Sequence, residues 1–191
     1  GVFLVDGPVL LAEALDAGAS IDSVYATVDQ LDGDVVRAVA AAGVPVKETA
    51  PDALAKVLDL KAPRGIVAVV RRRDATLAAV LAAARDDERP VLVAVSLQDP
   101  GNVGTLIRAA EAFGCAGVVL TTGSVDLYNP KTVRSTAGAL FRIPVVESVE
   151  LAAVLDACEP DVAAYATVGR AGRAIDEAPL GGAVAVLVGA E

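Results

Sequence analysis

The 191-residue sequence predicts an α/β protein built as two units, with a largely parallel sheet. Two observations carry this. Short runs rich in Val and Ile alternate with Ala- and Leu-rich stretches of helical period, the pattern of strands joined by crossover helices. Midway, polar runs interrupt the alternation: Arg71-Arg72-Arg73-Asp74 follows one strand, and Asp86-Asp87-Glu88-Arg89-Pro90 precedes the next.

Taken in order, strands fall at Val2–Val5, Ser23–Val28, Gly65–Val70, Val91–Val95, Gly117–Leu120, Asp161–Ala166 and Ala183–Val188. Helices fall between them at Pro8–Ala17, Asp34–Ala42, Pro51–Leu58, Leu77–Asp86, Val103–Phe113, Pro130–Leu140 and Glu150–Ala157. The arginine run sets the boundary, giving a first unit at residues 1–72 and a second at 75–191. The three arginines read as a solvated strand end, with RNA-phosphate contact as the alternative.

Composition narrows the function classes. The chain is 54% hydrophobic and 21% charged, and charged or helix-breaking residues interrupt every apolar run before it could span a bilayer. Asp6 and Glu13, with no basic lead, predict no signal peptide. The opening Gly predicts an N-terminus that is not the gene's own start. With no histidine and only Cys115 and Cys158, zinc sites of the usual kind and Ser-His or Cys-His nucleophiles are excluded. A reduced, cytoplasmic protein is expected. Net charge is −9, but residues 89–146 carry five basic residues against three acidic ones. An acidic body around a mildly basic segment is compatible with RNA and does not require it.

Chemistry concentrates in Val91–Gly117. A strand runs into Asp99-Pro100-Gly101, read as a tight turn, and Asn102 stands where a helix N-cap belongs. Val103, Leu106, Ile107 and Ala110 form the buried stripe, while Gly104 and Arg108 lie together on one flank. Gly in a first turn costs up to ~1 kcal/mol relative to Ala, so a close approach is expected there. The bland alternative is a capped helix whose Arg108 pairs with Glu111. Neither GxGxxG nor a GKS/GKT loop is present, so dinucleotide and P-loop assignments fail. Further on, Asn129 caps a helix with Pro130 at its first position and Val133, Ala137 and Leu140 as its core stripe. Gly138 interrupts that stripe, which predicts close packing against another element or a second subunit.

The stretch DPGNVGTLIRAAEAFG resembles the first motif of the SpoU (TrmH) family of RNA ribose 2′-O-methyltransferases, with Asn102, Gly104 and Arg108 at its Asn, Gly and Arg. NPKTVRSTAGALFRIPVV resembles the second, through Lys131, Arg134, Thr136, Gly138 and Ala139; Thr136 stands where the family more often has Ser. FLVDGPVLLAEALDAG and APRGIVAVV resemble the small α/β/α RNA-binding domain that precedes many rRNA-directed members. LVGAE, at Leu187–Glu191, resembles the opening of the third motif, with Ala190 where Asn or Ser is usual.

The resemblance implies a substrate-binding domain followed by a SPOUT-type (α/β knot) methyltransferase domain, truncated before the knot is completed. It implies S-adenosylmethionine as cofactor, rRNA (most naturally 23S rRNA) as substrate, and a homodimer. Arg108 and Asn102 would be catalytic, with Gly104, Lys131, Arg134 and Thr136 facing RNA. Thr167, Gly169, Gly189 and Glu191 would hold the cofactor, at the carboxyl ends of the last strands where open α/β sheets place ligands. The truncated chain is expected to bind cofactor weakly and to be inactive. Two other readings stay open: a non-catalytic RNA-binding member or inactive fragment of this fold, and a metabolite-binding α/β module.

Overall fold

A computed structural model describes residues 1–58, 64–170 and 172–189. Its first sheet has the order β1-β4-β2-β3, with β1 at Val2–Asp6, β2 at Ile21–Ala26, β3 at Val46–Glu48 and β4 at Ile66–Arg71. Strand β4 runs antiparallel to both β1 and β2, and β2 is parallel to β3, so this sheet is mixed. Side chains alternate across it. Phe3, Val5, Val24, Ala26 and Ala68 face helices α1 (Pro8–Asp16) and α2 (Asp34–Ala41), while Leu4, Tyr25 and Val67 face α3 (Pro51–Leu58). Three layers result.

The second sheet is wholly parallel, in the order β7-β6-β5-β9-β8. Its strands are β5 (Val91–Val95), β6 (Gly117–Thr121), β7 (Val145–Val149), β8 (Ala163–Ala166) and β9 (Val184–Gly189). The central strands are almost continuously apolar, as burial on both faces demands. Val91, Val93, Val119, Ala185 and Leu187 point to α4 (Leu77–Asp86) and α7 (Leu151–Cys158). Ala94, Val118 and Leu120 point the other way, to α5 (Pro100–Ala112), α6 (Pro130–Ser135) and the first unit. Strands β3 and β7 are additions to the sequence reading. The first is three residues long with two exposed charged ones; the second lies directly behind the Phe141-Arg142-Ile143-Pro144 turn.

Two helix boundaries differ from expectation. Helix α5 begins at Pro100, with Asp99 as its N-cap, because Asp followed by Pro supplies both a side-chain acceptor and a pre-set φ. Helix α6 stops at Ser135 rather than continuing to Leu140. Ala137 (φ 48°) and Gly138 (φ 94°) are left-handed, and a short 3-10 turn at Ala139–Phe141 follows.

The two units share one apolar core. Phe3 lies 4.8 Å from the Tyr128 ring and 6.2 Å from that of Phe141, and the cluster continues through Leu140, Ile143, Val103 and Ile107. Polar contacts reinforce it. Arg134 pairs with Asp6, whose carboxylate is buried and also accepts the Arg64 backbone N–H. Arg142 donates to Glu13 at 2.5 Å and to Glu111 at 2.8 Å. Gly138 packs against Glu13 of α1, where a Cβ would come within 2.7 Å, so the close contact expected there is made within the chain.

Replacing Asp6 with Ala leaves Arg134 half-buried without its partner and should lower stability by about 3 kcal/mol. For a chain of this size that corresponds to roughly 6–12 °C in Tm, read by calorimetry. Gly104→Ala tests helix packing. Its methyl would sit 1.9 Å from Ser135 Oγ and 2.6 Å from the Ser135 carbonyl carbon, so α6 must move off α5. The substitution should lower Tm although Ala is the better helix former by up to ~1 kcal/mol. An unchanged or raised Tm would refute this packing.

Candidate active site

In the second sheet the chain starts at β5, builds outward through β6 and β7, and returns on the other side through β8 and β9. The direction of winding therefore reverses between β5 and β9, and the crevice at their carboxyl ends is the topological switch point where ligands of open α/β sheets bind. The ends of β5 and β6 are tied together. Ser96, left-handed at φ 51°, donates its N–H to Thr121 Oγ1 at 3.0 Å and its hydroxyl to the Thr122 carbonyl at 3.2 Å. This turns the chain into Asp99, whose carboxylate accepts the Asn102 N–H at 2.8 Å and starts α5 beside the crevice.

Asn102 is thus in the first turn of α5, not at its cap, and its side chain is exposed. Arg108 is also exposed and forms no hydrogen bond or ion pair among the described residues. The Arg108–Glu111 pair does not form, because Glu111 is engaged by Arg142. Hydrogen bonds from Arg142 to Glu13 and then Glu111 hold its pKa above the ordinary guanidinium value. The exposed neighbours of Arg108 on its face are small, Thr105 and Ala112, so the guanidinium is unobstructed. Arg108 follows Asn102 by six positions, about 9 Å along the axis and 120° around it. One copy of α5 does not converge them on a single reacting atom.

The residues assigned to RNA divide. Lys131 is exposed, with its backbone N–H on Asn129 Oδ1 at 2.9 Å. Arg134 is half-buried on Asp6. Gly104 and Thr136 are buried. The close approach at Gly104 is made by Ser135, and the Thr136 hydroxyl donates to the Val133 carbonyl at 2.7 Å. Ser135, which the sequence reading passed over, donates to the Pro100 and Thr132 carbonyls, both at 2.7 Å, and joins α6 to the start of α5. A Gly in a first turn was the available signal, but it does not say which partner comes close.

At the other side of the crevice, Thr167 donates its N–H (2.9 Å) and its hydroxyl (3.0 Å) to the Leu187 carbonyl, which fixes the end of β8 against β9. Gly169 and Gly189 are exposed, and a Cβ on Gly189 would meet nothing nearer than Val95 at 3.9 Å. That open backbone fits a ligand lying across the strand ends. Ala190 and Glu191, with the turn expected there and the truncated knot, lie outside the described residues. Cys115 and Cys158 are buried, and burial raises the pKa of both thiols, so neither serves as a nucleophile here. No helix among the described residues is long and apolar enough to cross a membrane.

Comparison with known proteins agrees along both units. Residues 4–76 match the RNA 2′-O ribose methyltransferase substrate-binding domain, and residues 89–191 match the SpoU rRNA methylase family. The chain is 32% identical over 190 residues to the Bacillus subtilis 23S rRNA (guanosine(2553)-2′-O)-methyltransferase RlmP, covering 99% of this chain and 71% of that protein. It is 32% identical over 170 residues to the mouse mitochondrial rRNA methyltransferase 3, covering 86% of this chain but 40% of the relative. The structure of the SpoU methyltransferase AviRb from Streptomyces viridochromogenes, in complex with the cofactor AdoMet, superposes with a TM-score of 0.83 at 27% identity, over 100% of this chain and 74% of that one. Both motifs, their order and the fold around them lead to one conclusion: the chain belongs to the SpoU rRNA methylase family.

Proposed function

We propose that this protein acts in S-adenosylmethionine-dependent methylation of a ribose 2′-hydroxyl in rRNA, with 23S rRNA as the substrate. The carrying observation is Arg108: exposed and unpaired among the described residues, on the helix that leaves the switch-point strand, in a chain that matches both domains of the family in order. Nearby arginines are held by carboxylates, whereas this one is left for a ligand.

A guanidinium has a pKa above 12 and no acceptor lone pair, so Arg108 is not a literal base at neutral pH. Its planar fork suits a phosphate oxygen next to the reacting ribose, and its charge stabilises the oxyanion that develops as the 2′-hydroxyl loses its proton. Asn102 orients the ribose from the helix start. Thr167, Gly169 and Gly189 would hold the cofactor through backbone groups; when bound, it supplies an electrophilic methyl group. Because Asn102 and Arg108 do not converge within one copy, we infer a homodimer in which a second copy completes the site. The buried, unpaired cysteines suit a reducing cytoplasm.

Arg108→Ala should reduce incorporation of tritiated methyl into rRNA by about 10²–10³-fold. Its unfolding temperature should be unchanged, since the side chain packs against nothing in the core. Arg108→Lys should recover little, because a point charge lacks the fork. A Lys variant turning over near the unaltered rate would refute the assigned role. If the unaltered protein binds rRNA with a steep salt slope yet transfers no methyl, it is an RNA-binding member without the activity.

A further inference from the structure

A cavity lies away from the strand ends, in the seam between the two units. It measures about 420 Å³, within the range of pockets that hold small organic ligands. Its floor is apolar and shared: Phe3 from β1 on one side, Leu140, Phe141 and Ile143 on the other. Its mouth is formed by the turn after α1, where Ala17, Gly18, Ala19 and Ser20 supply little bulk, and by the arginines at residues 71–73.

The three arginines are not equivalent. Arg71 is held by Asp22 at 2.8 Å. Arg72 lies over the Tyr128 ring, 4.1 Å from its centroid, and contacts Glu147 at 3.5 Å, which makes a cation–π wall. Arg73 is exposed and has no ion pair among the described residues. Among the described residues, no carboxylate lines the cavity. An aromatic and aliphatic floor, a guanidinium wall and one unengaged cation at the rim select a flat, apolar ring joined to an anion.

We propose that this seam is a pocket for an unstacked nucleotide of the RNA substrate, the base lying on the Phe3–Phe141 floor beside Arg72 and its phosphate held by Arg73. This rests on the reading of the chain as RNA-binding. It assigns RNA contact to residues outside the family motifs and makes the docking of the two units part of substrate recognition. Single-stranded RNA is bound in this manner, by stacking on flat side chains with arginine on the backbone.

The test uses 23S rRNA transcribed with scattered 4-thiouridine, bound to the whole protein across a salt series, then irradiated and mapped by mass spectrometry. Cross-links should fall on Phe141 or Tyr128. Arg73→Ala should make the slope of log affinity against log salt shallower by about 0.7–0.9, one phosphate contact. Ser20→Trp, an exposed change that fills the mouth, should abolish those cross-links and weaken binding about tenfold while leaving the circular dichroism unchanged. If the unaltered protein binds rRNA but cross-links elsewhere, and both variants match it in slope and affinity, the pocket assignment falls and the RNA reading stands. Binding of uridine monophosphate in the seam without an RNA cross-link would assign the pocket to a free metabolite and overturn the proposal. Absence of any salt-dependent rRNA binding would remove both.

Discussion

Helix α6 crosses α5 where a single methyl group would not fit. At Gly104 the Ser135 side chain and its carbonyl carbon occupy the space a Cβ needs, and the Ser135 hydroxyl reaches back to the Pro100 carbonyl. Much else follows from that contact. Because α6 lies so close, Arg134 at its end reaches Asp6 in the first unit, and the left-handed Ala137-Gly138 step turns the chain onto α1. Gly104 is covered, but Arg108, one turn later on the same flank of α5, is left to solvent.

Apolar burial outweighs charge in holding the units together. Each of Phe3, Leu140, Phe141 and Ile143 is nearly buried in the shared core, worth about 1.5–3 kcal/mol apiece as an upper estimate. The pairs made by Arg142 are partly exposed and bring at most about 1 kcal/mol each. The ion pairs matter for what they consume. Three of the five basic residues between 89 and 146, Arg89, Arg134 and Arg142, are paired with Asp87, Asp6, Glu13 and Glu111. Net charge is therefore a poor guide to this protein's partners. What counts is which cations remain unengaged, and among the described residues Arg108, Lys131 and Arg73 are such cations.

Those cations sit in different places. Arg108 faces out from α5, Lys131 begins α6, and Arg73 follows β4 at the rim of the seam. A ligand contacting all three would have to be extended and polyanionic, a requirement RNA meets and a small metabolite does not. Asn102 and Arg108, by contrast, stand about 120° apart on one helix.

The sequence by itself determined the α/β class, the two-unit order and most element positions, because hydrophobic period and turn residues are local signals. Asn129-Pro130 was legible as a cap and first helical residue; the same logic at Asp99-Pro100 would have moved the start of α5 to its observed place. Motif spacing singled out Arg108. Only the tertiary structure decided which motif residues are available. Gly104 and Thr136 are buried, Arg134 is taken by Asp6 128 positions earlier in the chain, and Glu111 turns from Arg108 to Arg142. The pocket at Arg71–Arg73 likewise exists only where the two units meet. The physical reason is common to all of these. Periodicity and spacing fix what a residue is beside on its own element, whereas burial, pairing and cavities depend on which distant element packs against it.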